Sequence, residues 1–235
     1  MAKLQINNTD IITESSGNIT YASGTFNGTI GASATITDGA SPHGWEHIKT
    51  IHYNNATATP LDMANVVSNK YSMYKLFCQW GSATLDKNLF FRFLDASGTE
   101  ISTSRYEYGY QVMAETGAEG AMINGQSQSA AQLTYRSIQG SRGFNAELLF
   151  FNCYASTSSY PTIDGNILGA GNREPYCVFQ HTGHLYGSYD MAAHGFFWHD
   201  ANIDVTGFRM NWAGNTNVSA GSFWSCYGLK LPTAD

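Results

Sequence analysis

Charge is what this chain has least of. Charged residues fill 13% of its 235 positions, about half the ~25% usual in soluble domains. Lys and Arg number 12 against 18 Asp and Glu, for a formal net charge of −6. No stripe of basic residues forms, so nucleic acid is not an expected partner. An anionic membrane is disfavoured on the same ground. Long apolar runs are also missing: none approaches the ~18 residues that cross a bilayer as a helix. The opening MAKLQINNTD holds no apolar signal core, which predicts synthesis and assembly in the cytosol. No stretch of about twelve residues keeps a clean 3.6-residue apolar period, which excludes long amphipathic helices. No internal repeat is visible, which disfavours solenoids and propellers. Cysteine is sparse and never in a CxxC pair. Cys78, Cys153, Cys177 and Cys226 each sit among aromatic or aliphatic neighbours. They read as buried reduced thiols acting as small hydrophobes.

Turn formers and rings replace the missing charge. Glycine occurs 24 times and aromatics make up 14% of the chain. That mixture favours sheets joined by tight turns and argues against disorder, which needs few aromatics and high charge.

Two regions differ in texture. The first 43 residues are rich in Thr, Asn, Gly and Ser, with short β-branched runs at Leu4–Ile6, Ile11–Thr13 and Asn18–Tyr21. None of these can build its own core, so 1–43 reads as a β-rich attachment or oligomerisation arm. From Trp45 the aromatics crowd in. Strands are predicted over Glu46–Tyr53, Ser72–Trp80, Asn88–Leu94, Ile101–Tyr110, Glu147–Tyr154, Tyr176–His181, Gly195–Asp200, Val205–Trp212 and Ser222–Leu229. In Ser72–Trp80 the residues Tyr74, Leu76, Cys78 and Trp80 share one face. Phe208, Met210 and Trp212 alternate with Arg209 and Asn211, the period of a half-buried antiparallel strand. Asn88–Leu94 is apolar on both faces, as for a strand covered on both sides. Asp95–Gly98 marks a turn, Asn215–Asn217 another, and Gly117–Gln132 a loop or an exposed edge. The expected fold is all-β: an antiparallel jelly-roll sandwich over 44–235, preceded by the short arm.

Candidate chemistry is thin. His181, His184, His194, His199 and Asp200 offer metal-ligand types, but zinc needs three or four such groups converging at about 2 Å. Alternation along strands separates them, so they read as hydrogen-bonded surface or interface histidines. Glycosidases need two carboxyls roughly 5 to 10 Å apart. Glu115 with Glu119, and Asp200 with Asp204, are the near pairs. The first reads as solvated in a Gly/Ala-rich loop and the second as flanking a turn. Gly165–Gly171 looks like a dinucleotide loop but lacks the helix that must follow. There is no GxSxG elbow and no P-loop. No cofactor or metal is expected. Tyr106, Tyr108, Tyr110, Trp198, Trp212 and Trp224 suit either sugar stacking or a core and subunit interface.

One series of stretches resembles a known family. Its first part is Arg92-Phe93-Leu94-Asp95 with Ser97-Gly98, Tyr106 and Tyr108. Its second is Gly207-Phe208-Arg209, Asn215, Gly221 and Tyr227-Gly228-Leu229-Lys230. Over about 44–231 these are similar to the C-terminal jelly-roll module of tailed-bacteriophage virion surface proteins, which include decoration, head-fibre, knob and tail-fibre proteins. The resemblance implies structural roles for Arg92, Asp95, Gly98, Gly207, Phe208, Asn215, Gly221, Tyr227 and Gly228. It also implies a homotrimer on the virion surface, assembled in the host cytoplasm and acting by binding without catalysis. The short arm favours capsid decoration or a head fibre. Leu4, Ile6, Ile11 and Ile12 would then anchor it to the major capsid protein or another virion protein. The alternative is a tail knob or fibre tip that binds a host-surface glycan. A glycan hydrolase is the remote third reading.

Overall fold

The computed structural model of the chain describes residues 3–6, 9–15, 18–21, 44–55, 57–58, 60–80, 88–114, 122–134, 143–154, 162–163, 166–167, 174–185, 189–201, 203–213 and 217–230. The chain divides into two compact units, Met1–Ser41 and Pro42–Asp235. Among the described residues every regular element is a strand.

In the first unit β1 (Lys3–Ile6), β2 (Thr9–Ser15) and β3 (Asn18–Tyr21) form a three-stranded antiparallel sheet in that order. The arm's β-branched runs therefore pair with one another. Leu4 and Ile6 lie on β1, and Ile11 and Ile12 on β2; their side chains lie outside the described residues.

Among the described residues the second unit carries sixteen strands in chain order. They are β4 (Trp45–Tyr53), β5 (Thr57–Ala58), β6 (Leu61–Met63), β7 (Tyr71–Trp80), β8 (Leu89–Leu94), β9 (Tyr106–Ala114), β10 (Met122–Gln128) and β11 (Ala131–Gln132). Next come β12 (Phe144–Phe151), β13 (Thr162–Ile163), β14 (Asn166–Ile167), β15 (Tyr176–Leu185), β16 (Tyr189–His199), β17 (Gly207–Trp212), β18 (Asn217–Val218) and β19 (Ser222–Lys230). Two antiparallel sheets dominate. One has eight strands in the order β10-β9-β16-β15-β12-β7-β19-β4, the other four in the order β11-β8-β17-β6. The chain passes repeatedly from one sheet to the other. Its early strands β4 and β6 lie beside its late strands β19 and β17.

The sheets face each other across a ring-filled core, as an antiparallel β-sandwich. Alternation places Tyr74, Leu76, Cys78 and Trp80 of β7 on the inner side, all buried. They meet Phe91, Phe93, Phe208 and Trp212 of the smaller sheet, also buried. Trp80 packs edge-on to Trp212 at 6.4 Å between centroids, and Tyr74 to Phe208 at 6.2 Å. Each fully buried aromatic contributes roughly 1.5–3 kcal/mol of transfer free energy, so the rings carry much of the fold's stability. The four cysteines are buried free thiols, as their neighbours predicted.

Three expectations need correction. β8 is fully covered on both sides only at its end: Leu89, Phe91 and Phe93 are buried on the inner side, while on the outer side Phe90 and Arg92 are half-exposed and only Leu94 is buried. Ile101–Arg105 is not strand. Ile101 still donates to the Phe93 carbonyl at 2.9 Å, but the chain is crossing to the larger sheet, where β9 starts at Tyr106. The Tyr106 hydroxyl pins this crossing by donating to the Ile101 carbonyl at 2.8 Å and accepting the Phe93 N–H at 2.9 Å. Finally, β15 and β16 form one long hairpin from Tyr176 to His199, twice as continuous as their apolar patches suggested. Within Gly117–Gln132, β10 lies at an edge of the larger sheet, mostly exposed.

Candidate functional site

Of the residues nominated by the family resemblance, Asp95, Gly98 and Gly221 lie at turns, and Gly207, Phe208 and Gly228 lie in close packing. Asp95 Oδ1 accepts the Ser97 hydroxyl at 2.7 Å, the Ser97 N–H at 2.8 Å and the Thr99 N–H at 2.9 Å. Those bonds, the Ser97 hydroxyl first, hold its carboxyl below the usual range. Gly98 closes the turn at φ +76°, a left-handed conformation that glycine adopts freely. Gly207 opens β17 where a Cβ would stand 2.5 Å from the Met63 carbonyl oxygen and 2.9 Å from Ala64 Cα. Phe208 is core, Gly221 turns the chain into β19, and Gly228 lies under the Tyr71 ring. Tyr227 points outward, edge-on to His47 and Phe77. Asn215 lies outside the described residues. Arg92 belongs to an ion network on the outer side of the smaller sheet. Arg209 donates from Nε and Nη2 to the two Asp62 oxygens, each at 2.6 Å. Arg209 and Arg92 both donate to Glu100 Oε2 at 3.1 Å. These charges satisfy one another.

The histidines are divided by strand alternation. His181 and His199 are buried in the core, not at the surface as expected. His181 Nε2–H donates to the Leu133 carbonyl at 2.7 Å, and burial drives its pKa down to about 4. His199 bonds Thr103 Oγ1 through Nε2 at 2.8 Å; burial lowers its pKa as well. His194 faces outward and is exposed. Among the described residues no group of three or more His, Cys, Asp or Glu comes together as a metal site. Burial also raises the thiol pKa values, that of Cys226 to about 12, so these cysteines stay protonated at neutral pH. The Asp200 and Asp204 side chains are exposed and half-buried respectively. Glu115, Glu119 and most of Gly165–Gly171 lie outside the described residues. Of the nominated rings, Tyr106, Tyr110, Trp212 and Trp224 are core. Tyr108 is half-buried against Tyr110, and Trp198 is half-buried on the outer face.

That outer face of the eight-stranded sheet is the unusual surface. An antiparallel sheet with one face on the core ordinarily turns polar residues to solvent. Here Trp45, Phe77, Met113, Met122 and Phe196 are exposed, and all five lie on this face. Strand register sorts it into two halves. In one half, Tyr227, Lys75, Leu149, Val178 and Phe196 lie in line across β19, β7, β12, β15 and β16. The adjacent line runs Met73, Phe151, Tyr176 and Trp198. Phe151 packs on Tyr176 at 5.7 Å, and Phe196 stacks on Trp198 at 5.7 Å. Apart from Lys75, Glu107, which continues the second line beyond Trp198, and His47, beside Tyr227 on β4, the described positions of this half are apolar or aromatic. Lys75 lies over the rings of Trp45 and Phe77 at 5.0 and 5.4 Å.

The other half is polar. Phe223, Gln79, Asn145, Thr182 and Ala192 lie in line, as do Phe77, Glu147, Gln180 and His194. Together they line a cleft of about 560 Å³. Glu147 is bound to Lys75 at 2.9 Å, which depresses its pKa, and it accepts from Gln180 at 3.1 Å. Sequence reading missed the apolar half because the outward residues Leu149, Phe151, Val178, Phe196 and Trp198 of β12, β15 and β16 are as apolar as the inward ones beside them.

No protein-family model, no curated protein and no solved structure matches the chain.

Proposed function

We propose that this chain is a structural protein of a tailed-phage particle, displayed on the virion surface as a capsid decoration or head-fibre protein. It acts by binding, without catalysis. The observation that carries this reading is the apolar half of the outer sheet face. Contiguous exposed apolar surface of this kind marks a protein contact, and its partner here is another copy of the chain or a virion protein such as the major capsid protein.

Three further features support it. Six of the residues that the resemblance nominates, Asp95, Gly98, Gly207, Phe208, Gly221 and Gly228, make turns or close packing. The sandwich is wired as a jelly roll would be: β4-β19-β7-β12 faces β6-β17-β8-β11, and the hairpins β9–β10 and β15–β16 widen one sheet. The arm's three-stranded sheet in the first unit provides a separate attachment element, with Leu4, Ile6, Ile11 and Ile12 on its strands. Trimers and assembly in the host cytoplasm belong to the same proposal. The second reading, a tail knob or fibre-tip receptor-binding protein, is favoured by the polar cleft beside the apolar half.

Cryo-EM of intact virions that carry the protein tests both readings. Regular density on the capsid in many copies supports decoration. Density confined to the tail in few copies transfers the assignment to receptor binding. Absence from purified virions overturns both.

A further inference from the structure

The cleft in the polar half of the outer face has a physical cause. Its floor is built from short side chains, Asn145, Thr182 and Ala192, on three neighbouring strands. Its walls are long ones: Phe77 and Phe223 at the β7–β19 side and Met113 at the β9 side. From β7 to β16 it crosses three strand intervals of about 4.8 Å, roughly 14 Å in all.

Its chemistry is specific in what is left uncommitted. Gln79, Asn145, Thr182 and His194 are exposed. Among the described residues none of their side chains holds a hydrogen bond within the protein. They offer donors and acceptors side by side. The one carboxylate, Glu147, is already neutralised by Lys75. The ring of Phe77 is 39% exposed beside these groups, which provides an apolar platform. The described lining, with free amides and a hydroxyl, an accessible ring and no free charge, matches a ligand that is neutral, dense in hydroxyls and apolar on one face. Among the described residues no unpaired cation lines the cleft to hold phosphate or another strong anion.

We propose that this cleft binds a neutral glycan. The sugar's hydroxyls bond to Gln79, Asn145, Thr182 and His194, and its C–H face lies against Phe77. This deepens the binding reading above and rests on it only for the absence of catalysis. The apolar half remains available for assembly, because the cleft and Phe196 occupy different rows.

The test uses the full chain on an array of neutral hexose and N-acetylhexosamine oligosaccharides, printed beside sulfated and uronic-acid-bearing ones. Titration calorimetry follows with any neutral oligosaccharide retained. The expected result is selective retention of neutral glycans. Asn145→Ala and Phe77→Ala should each weaken binding about tenfold, the loss of a hydrogen bond or a stacking contact. Ala96→Ser, at an exposed turn position outside the cleft, should leave affinity unchanged. Both cleft residues are exposed, so their variants should keep the wild-type melting temperature. Retention of acidic glycans alone, no retention at all, or affinity unchanged in both cleft variants overturns the proposal. Glycan binding in solution does not depend on where the protein sits in a particle, so this result and the virion imaging can fail separately.

Discussion

Phe150 of the eight-stranded sheet stacks on Phe208 of the four-stranded sheet, with centroids 4.5 Å apart and planes 24° from parallel. Both rings are fully buried. Phe91 lies 5.2 Å from the first and 6.0 Å from the second. The pair therefore joins the two sheets at a point where neither can shift without opening a void. Phe208→Ala should cost roughly 3 to 5 kcal/mol of unfolding free energy, as transfer and cavity terms add. Urea denaturation at constant m-value measures it. A loss under about 1 kcal/mol would mean that the sheets repack freely there.

Acid should weaken the fold through its buried histidines. His181 has its pKa lowered from 6.5 to about 4, chiefly by burial. The unfolded chain therefore binds a proton that the folded chain refuses between those two values. Stability is full above pH 6.5 and falls as pH drops toward about 4, by on the order of 3 kcal/mol for this group. His199 contributes in the same direction. Thermal melts across pH 4–7 should show a slope that His181→Phe reduces. An unchanged slope in that variant would place the acid sensitivity elsewhere.

The ion network of the smaller sheet predicts a modest, salt-sensitive contribution. Arg209 is bidentate to Asp62 and shares Glu100 with Arg92. Both arginine side chains are 18% exposed, while Asp62 and Glu100 are 36% and 33% exposed. Solvent screening therefore keeps the network well below a buried pair. Arg209→Lys, which keeps the charge but loses the planar fork, should cost about 1 kcal/mol. The difference from wild type should shrink in 1 M salt. A salt-independent difference would assign the effect to packing of the arginine stem.

Which of these features could be read in the chain depended on contrast between neighbours. β7 was legible because Tyr74, Leu76, Cys78 and Trp80 alternate with Lys75, Phe77 and Gln79, only one of them apolar. The Asp95–Gly98 turn was legible because an Asp side chain and a glycine do local work that no distant contact replaces. β10 was legible only as a loop or an exposed edge, since its Asn, Gly, Gln and Ser residues carry no apolar period and it is held by backbone pairing to β9. The outer face was hidden for the opposite reason. Leu149, Phe151, Val178, Phe196 and Trp198 are as apolar as the inward residues beside them, so inside and outside look alike. The cleft has no linear signature either: Gln79, Asn145, Thr182 and His194 come from four strands that only the register brings into two adjacent rows.

That hidden apolar half makes the sharpest distinction between a core residue and a contact residue. Phe196 is 41% exposed, so replacing it removes little buried surface. Phe196→Lys should change unfolding free energy by no more than about 0.5 kcal/mol. If the half is an assembly face, the same substitution places an unpaired charge in a dry contact, which costs several kcal/mol there. The purified variant should then fall to a smaller species by sedimentation equilibrium at tens of micromolar, about where the wild type stays associated, and should be depleted from particles. Deleting residues 1–40 provides the complementary case, since it should remove the protein from particles while the second unit remains soluble. If Phe196→Lys joins particles at wild-type levels and the wild type sediments as a monomer, the apolar half is not the contact. The arm alone would then have to hold the protein in place.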